Sequence, residues 1–382
     1  MLPEEQNGDG EMKRSTCLFL ILMLAMTGLA KAENPVYFPD PNLKAAVELE
    51  LHIQDPTPSD MLELRTYLRA DDRGITDLTG LQYATNLKEL YLDHNRINDI
   101  SVLEGLTKLT VLWLHYNHIS DISPVANMPN MVELLLSHNQ IGDISPVANL
   151  TELYALYLGD NQISDISVLA GLTNMEQLYL YENQITNILP LTAMTKLTKL
   201  KLQDNYISNI LPLAGKTKLW CLNLSNNQIT DISSLTGMAE LLRLYAQDNQ
   251  ISDISTVATM TKLVQLRVDS NKIRDISPVA SLTNLWELNL SDNPLNSEAY
   301  CEYLPIILEN NSFILLSYPD PSPLIEDCST DFFDLTELAS HWLVDSCGEE
   351  NNWCGGADLH RTGSVDMYHF AELATYWLAD IQ

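Results

Sequence analysis

Three groups of side chains have the types and spacing that chemistry would need. The first is DLHRTGSVDMYH, Asp358 to His369, laid out like a calcium-binding loop. Such a loop places oxygen ligands at positions one, three, five, nine and twelve, with a glycine at six for the turn. Those positions hold Asp358, His360, Thr362, Asp366 and His369, with Gly363 in place. Histidine stands twice where a hard cation prefers oxygen, which leaves Asp358, Thr362 and Asp366 as the candidate metal ligands. The loop therefore reads as a relic that keeps its turn and has lost most of its affinity. Weak calcium is the one cofactor left open, and no other is expected. Zinc held by His360 and His369 lacks a further nitrogen or sulfur ligand at familiar spacing.

The second group is Cys347 and Cys354, close enough in sequence to close a disulfide around GEENNW in an exported chain. Cys301 with Cys328 is a further pairing that the sequence leaves open, and Cys221 is then the odd thiol. The third group is Glu89 and Glu133, two strands apart on one face at roughly 9 to 10 Å, near the upper limit for an inverting glycosidase. A smooth sheet gives them no wall against water, so they read as solvated charge and catalysis is not expected.

These residues have to be positioned by something, and a 22-residue period dominates the chain. NLKELYLDHNRINDIS at Asn86 is followed in phase by KLTVLWLHYNHISDIS at Lys108 and NMVELLLSHNQIGDIS at Asn130. The asparagine recurs from Asn95 through Asn117, Asn139, Asn161, Asn183, Asn205, Asn227, Asn249 and Asn271 to Asn293, giving ten units. A half-unit with Arg73 in the asparagine position precedes them. In each L-x-x-L-x-L-x-x-N-x-I-x-D-I unit the apolar residues alternate as in a short strand with one buried face. No unit buries its stripe alone, so the units must stack into an α/β right-handed solenoid, with a parallel sheet lining its concave face. The asparagine amide should satisfy backbone groups stranded at the turn. The serine of D-I-S should cap a short turn on the convex side, with Pro124, Pro146 and Pro278 at its first position.

The in-phase units and their D-I-S-P-V/L segments resemble bacterial leucine-rich repeats of the internalin type. FPDPNLKAAVELEL, Phe38 to Leu51, is similar to the helical cap that precedes such arrays, and NPLNSEAYCEYLPIILENN, Asn293 to Asn311, to the segment that closes them. The resemblance implies protein recognition on the concave face. Neither an LPxTG-like sorting signal nor an immunoglobulin-like segment follows, so wall attachment and host invasion are not carried over.

The rest of the chain bears on address and partners. Lys13 and Arg14, the apolar run Cys17 to Ala30 and Ala30-Lys31-Ala32 read as a secretory signal peptide, too short for a membrane span. The formal charge of −30, from 51 acidic and 21 basic residues, argues against nucleic acid and anionic membranes. The expected organisation is signal peptide 1–32, helical cap 33–63, repeats 64–296, closing cap 297–316, proline-rich linker 317–327 and an acidic helical module 328–382. That last module repeats itself, DFFDLTELASHWL at Asp331 and DMYHFAELATYWL at Asp366, and resembles a small helical dockerin. The resemblance implies a cohesin-like partner.

Between the two leucines of each strand one side chain should point out of the concave face. In order these are Tyr91, Trp113, Leu135, Tyr157, Tyr179, Lys201, Asn223, Tyr245, Arg267 and Asn289. With Lys199 and Trp220, the aromatic and basic members and Asn223 form the candidate binding surface, since rigid rings beside a charge are what binding hot spots favour. The expected function is a secreted or surface protein that binds a protein ligand there. The alternative is a non-catalytic part of an extracellular polysaccharide-handling assembly, with a glycan on the same face and the tail as its dock.

Overall fold

The computed structural model describes residues 33–319. The signal peptide, nearly all of the linker, the dockerin-like module, Cys347, Cys354 and the loop with Asp358, Thr362 and Asp366 lie outside the described residues. Twelve parallel strands form one sheet in strict chain order. They are β1 (Tyr67–Arg69), β2 (Glu89–Tyr91), β3 (Val111–Trp113), β4 (Glu133–Leu135), β5 (Ala155–Tyr157), β6 (Gln177–Tyr179), β7 (Lys199–Lys201), β8 (Cys221–Asn223), β9 (Arg243–Tyr245), β10 (Gln265–Arg267), β11 (Glu287–Asn289) and β12 (Leu315–Ser317). From β1 to β11 each residue pairs with the one 22 positions on, as Leu90 does with Leu112. The result is the leucine-rich-repeat solenoid. Central leucines such as Leu90, Leu134, Leu178 and Leu222 have no exposed surface, whereas their strand neighbours face the concavity.

The asparagine column lies just past the sheet. In mid-array Asn183 Nδ2 donates to the carbonyls of Leu158, Leu180 and Tyr181, and Oδ1 accepts the Ile163 N–H. One amide thus ties two coils together at the point where neither helix nor sheet can serve the backbone. Immediately before each asparagine, and before Arg73 in the half-unit, sits a residue with left-handed backbone, φ between 50° and 59° from Asp72 through Asp292. Its N–H still reaches the next coil, as from Tyr116 to the Ser137 carbonyl at 3.0 Å.

The convex side is a series of short 3₁₀ turns such as Ser123–Asn127. Here the structure corrects the expected cap. The serine side chain does not close these turns; the preceding aspartate does, Asp121 Oδ1 accepting the Ser123 N–H at 2.8 Å. Asp99, Asp143, Asp165, Asp231, Asp253 and Asp275 repeat the contact, and Asn187 and Asn209 replace it with an amide oxygen. A carboxylate two residues upstream has the reach to close that ring, which the serine hydroxyl does not.

Helix α1 (Pro41–Leu51) and the single turn α2 (Pro58–Met61) cover the first coil. Asp40 caps α1 at Asn42 and Leu43 and also accepts the Thr76 N–H, fastening the helix to the first coil. Gly80, at φ 112°, leaves room for the Phe38 ring that packs there. At the far end a π-turn, Ala299–Tyr303, leads into α3 (Leu304–Asn310), whose chain returns as β12. Asn311, at the opposite end of the strands from the column, ties this cap to the last coil by accepting the Leu285 N–H and donating to the Leu282 carbonyl. That twelfth strand was not visible in the repeat pattern, because the segment before it is six residues longer than a coil allows.

Candidate functional site

All ten sequence-derived candidates line the concave side, where they pair into contacts rather than standing apart. Tyr91 meets Trp113 edge-on at 4.8 Å, and Arg69 covers the Tyr91 ring. Tyr157 and Tyr179 stack at 4.0 Å, with Lys201 Nζ 4.5 Å from the Tyr179 centroid. Lys199 and Arg243 both lie against Trp220, at 5.0 and 5.8 Å. Arg267 lies against Tyr245 and is paired with Glu287. Asn223 is turned inward in function, its Oδ1 accepting from the Ser225 N–H and hydroxyl.

Charge is unevenly distributed on this face. Glu89 accepts the Tyr91 hydroxyl, and Glu133 accepts the Tyr154 hydroxyl and Trp113 Nε1. These carboxylates are bound to neighbouring rings rather than poised as a pair. Burial, then the Glu89 bond, pushes the Tyr91 phenol up to about 12. By contrast, Lys199, Lys201 and Arg243 have no carboxylate within ion-pairing range among the described residues. They surround Cys221, a free, buried thiol paired in register with Lys199 and Arg243, whose pKa burial raises. Cys301, outside this face, is disulfide-bonded.

The sequence reading missed the rim where the strands end. His94, Tyr116 and His138 occupy the left-handed position in three successive coils and stack, at 4.3 Å and then 3.9 Å. His138 Nδ1 lies 2.7 Å from Asp160, and Tyr181 is bonded to His138 Nε2 at 3.1 Å. Beneath them His115 Nδ1 accepts the Ser137 N–H, which fixes the neutral tautomer, and burial lowers its pKa to about 4. Gly159 is required here, because a Cβ at that position would lie 2.1 Å from the Tyr181 ring. A signal for this rim did exist. Later coils place Asp160, Glu182, Asp204, Asn226, Asp248, Ser270 and Asp292 at the left-handed position, mostly small polar residues that tolerate it. Two histidines and a tyrosine break that pattern.

Rim and sheet meet in a hollow of about 240 Å³, lined by Tyr157, Tyr179 and Lys201 from the strands and by His115, Tyr181 and Gln203 from the rim. No group of three His, Cys, Asp or Glu side chains among the described residues is placed to hold a metal ion. No helix among them is long and apolar enough to cross a membrane.

Profiles described as "Leucine Rich repeats (2 copies)" match residues 85–127 and 129–171, and one described as "Leucine rich repeat" matches 195–251. The crystal structure of an internalin from Listeria monocytogenes is 33% identical, with a TM-score of 0.70 over 76% of this chain and 85% of its own. The chain belongs to the internalin family. A second internalin from Listeria monocytogenes, internalin C2, is 37% identical, with a TM-score of 0.53 over 56% of this chain and 99% of its own. Similarity of fold alone extends further. The leucine-rich-repeat ectodomain of an Arabidopsis thaliana receptor kinase, in complex with Casparian strip integrity factor 2, is 20% identical at a TM-score of 0.54, over 67% of this chain and 34% of its own. None of the curated protein sequences compared with the chain matches it.

Proposed function

We propose that this internalin-type chain is an exported, non-catalytic recognition protein that binds a protein ligand on its concave face. The observation that carries the reading is the group Lys199, Lys201 and Arg243, left without carboxylate partners beside Trp220 and Tyr179 in a chain of net charge −30. Keeping three cations unneutralised there favours an acidic partner, and the rigid rings supply low-entropy apolar contact. The signal-peptide-like N-terminus supports export.

A polysaccharide fits the middle of this face less well. Sugar stacking needs a bare aromatic face, and from β5 to β10 Tyr157 and Tyr179 cover one another while cations lie against Trp220, Tyr179 and Tyr245.

The test presents the full chain to extracellular proteins and to a glycan array in parallel, with Tyr179→Ala, Arg243→Glu and an off-face control, Lys272→Glu. Each concave change should weaken binding of the captured protein by about 1 to 4 kcal/mol, while the control leaves it unchanged. Binding that survives both concave changes and fails with the control would place the site elsewhere.

A further inference from the structure

The hollow where sheet meets rim has a shape and a charge that the flat concave surface lacks. Its volume of about 240 Å³ lies below the range of roughly 300 to 1,000 Å³ typical of drug-sized ligands, and suits a single side chain. Its walls include Tyr157, Tyr179 and Tyr181, and its one lysine or arginine is Lys201. His115 contributes no charge at neutral pH, and with its Nδ1 accepting from Ser137 its remaining proton sits on Nε2, as a donor. Gln203 lines the hollow as well, with its Oε1 buried and without a hydrogen-bond partner. The rim carries opposing charge at Asp160, Glu182 and Asp204, of which Asp160 is engaged by His138. An anion is therefore welcome at Lys201 and repelled along the outer edge.

We infer that this hollow is a socket for one acidic side chain of a protein ligand, with the Lys201 ammonium as its counter-ion and the three tyrosine rings as its walls. The inference rests on the concave face being a protein-binding surface, and it names the chemistry that one part of that surface selects. A carboxylate matches the single positive charge. A phosphate dianion would be left half neutralised, and it favours the forked guanidinium or a cluster of backbone N–H groups, neither of which lines the hollow. A uronic acid carries the right charge but needs a free ring face, and Tyr157 and Tyr179 each turn one face to the other and have His115 and Lys201 against them besides. The strain of the rim has a purpose on this reading. Tyr116 and His138 are held at φ 54° and 59° so that their rings wall the hollow from outside, although a smaller residue would turn the chain at less cost.

The experiment uses the full chain and four small probes: N-acetyl-glutamate methylamide, its glutamine counterpart, glucuronate and phosphotyrosine, followed by saturation-transfer NMR. The glutamate probe should bind at least about five-fold more tightly than the glutamine probe, and more tightly than glucuronate or phosphotyrosine. Lys201→Gln should erase that preference, and Tyr181→Ala should weaken the glutamate probe about as much. Lys199→Gln and Trp220→Ala, outside the hollow, should leave it in place. Equal binding of glutamate and glutamine overturns the socket, as does preference for glucuronate or phosphotyrosine, or indifference to Lys201→Gln in a variant that melts like the parent. The two readings fail separately. If Trp220→Ala and Arg243→Glu abolish capture of a protein ligand while the glutamate preference is missing, the concave reading stands and the socket falls. If the preference is present while those changes leave protein capture intact, the hollow selects carboxylates but the wider reading falls, and with it the assignment of that carboxylate to a protein ligand.

Discussion

Lys216 occupies a slot that leucine or methionine fills in eight other coils, from Leu106 to Leu282, and it is 1% exposed. Its ammonium donates to the Thr192 and Met194 carbonyls at 3.2 and 3.3 Å, and burial lowers its pKa. Lys216→Met should therefore raise stability by about 1 to 3 kcal/mol in thermal or denaturant unfolding. The sign with pH follows from the same shift. With the folded pKa below the unfolded one, the unfolded chain binds more protons between the two values, so stability rises with pH across that window. The difference between parent and Lys216→Met should shrink as pH climbs toward the ordinary lysine range of 10.5. Asn183→Ala works the other way. It strands the Ile163 N–H, while the Leu158, Leu180 and Tyr181 carbonyls keep Asn161, Asn205 and the Asp160 N–H as donors, and should cost about 1 to 3 kcal/mol, against little for its exposed neighbour in Glu182→Ala. The column was legible in the sequence because one residue type recurs at one interval. Lys216 was not singled out in the sequence, because a lysine reads as exposed until the packing of the convex turns around it is seen.

Each coil is one three-residue strand and one short turn, too little to hold a shape alone. The strands were legible from alternation, and the outward position between the leucines was read correctly. The turns were misassigned, because D-I-S presents two side chains able to cap and only geometry separates them. Asp143 Oδ1 holds the Ser145 N–H at 2.7 Å, and that backbone bond, then the serine side chain, lowers the carboxyl's pKa. Its contribution is thus present above the ordinary carboxylate range and fades as pH falls through the depressed folded value. Asp143→Ala should lower the melting point slightly at neutral pH. Asp143→Asn should hold it, as Asn187 and Asn209 already do the same work, and should flatten the acid side of the stability curve.

Over the whole chain, regularity made the architecture readable and hid the hollow. A period reports what every coil shares, whereas the hollow is built from what five successive coils place at one equivalent position: His115, Ser137, the bare Gly159, Tyr181 and Gln203. Sequence order and spatial order coincide, β1 to β12 without a crossover. That ordering gives the molecule a mechanical character. The bonds that join coils, the strand ladder and the asparagine amides, run along the axis of the stack. A pull on the two ends loads them in series, so the weakest junction opens first and its neighbours hold. Under tension in an optical trap the array should lengthen in repeated steps of about 70 Å, one coil of 22 residues at a time. A protein tethered at one end and holding a partner at the other would behave as a ratcheted tape that yields by single turns, rather than as a rigid strut that snaps.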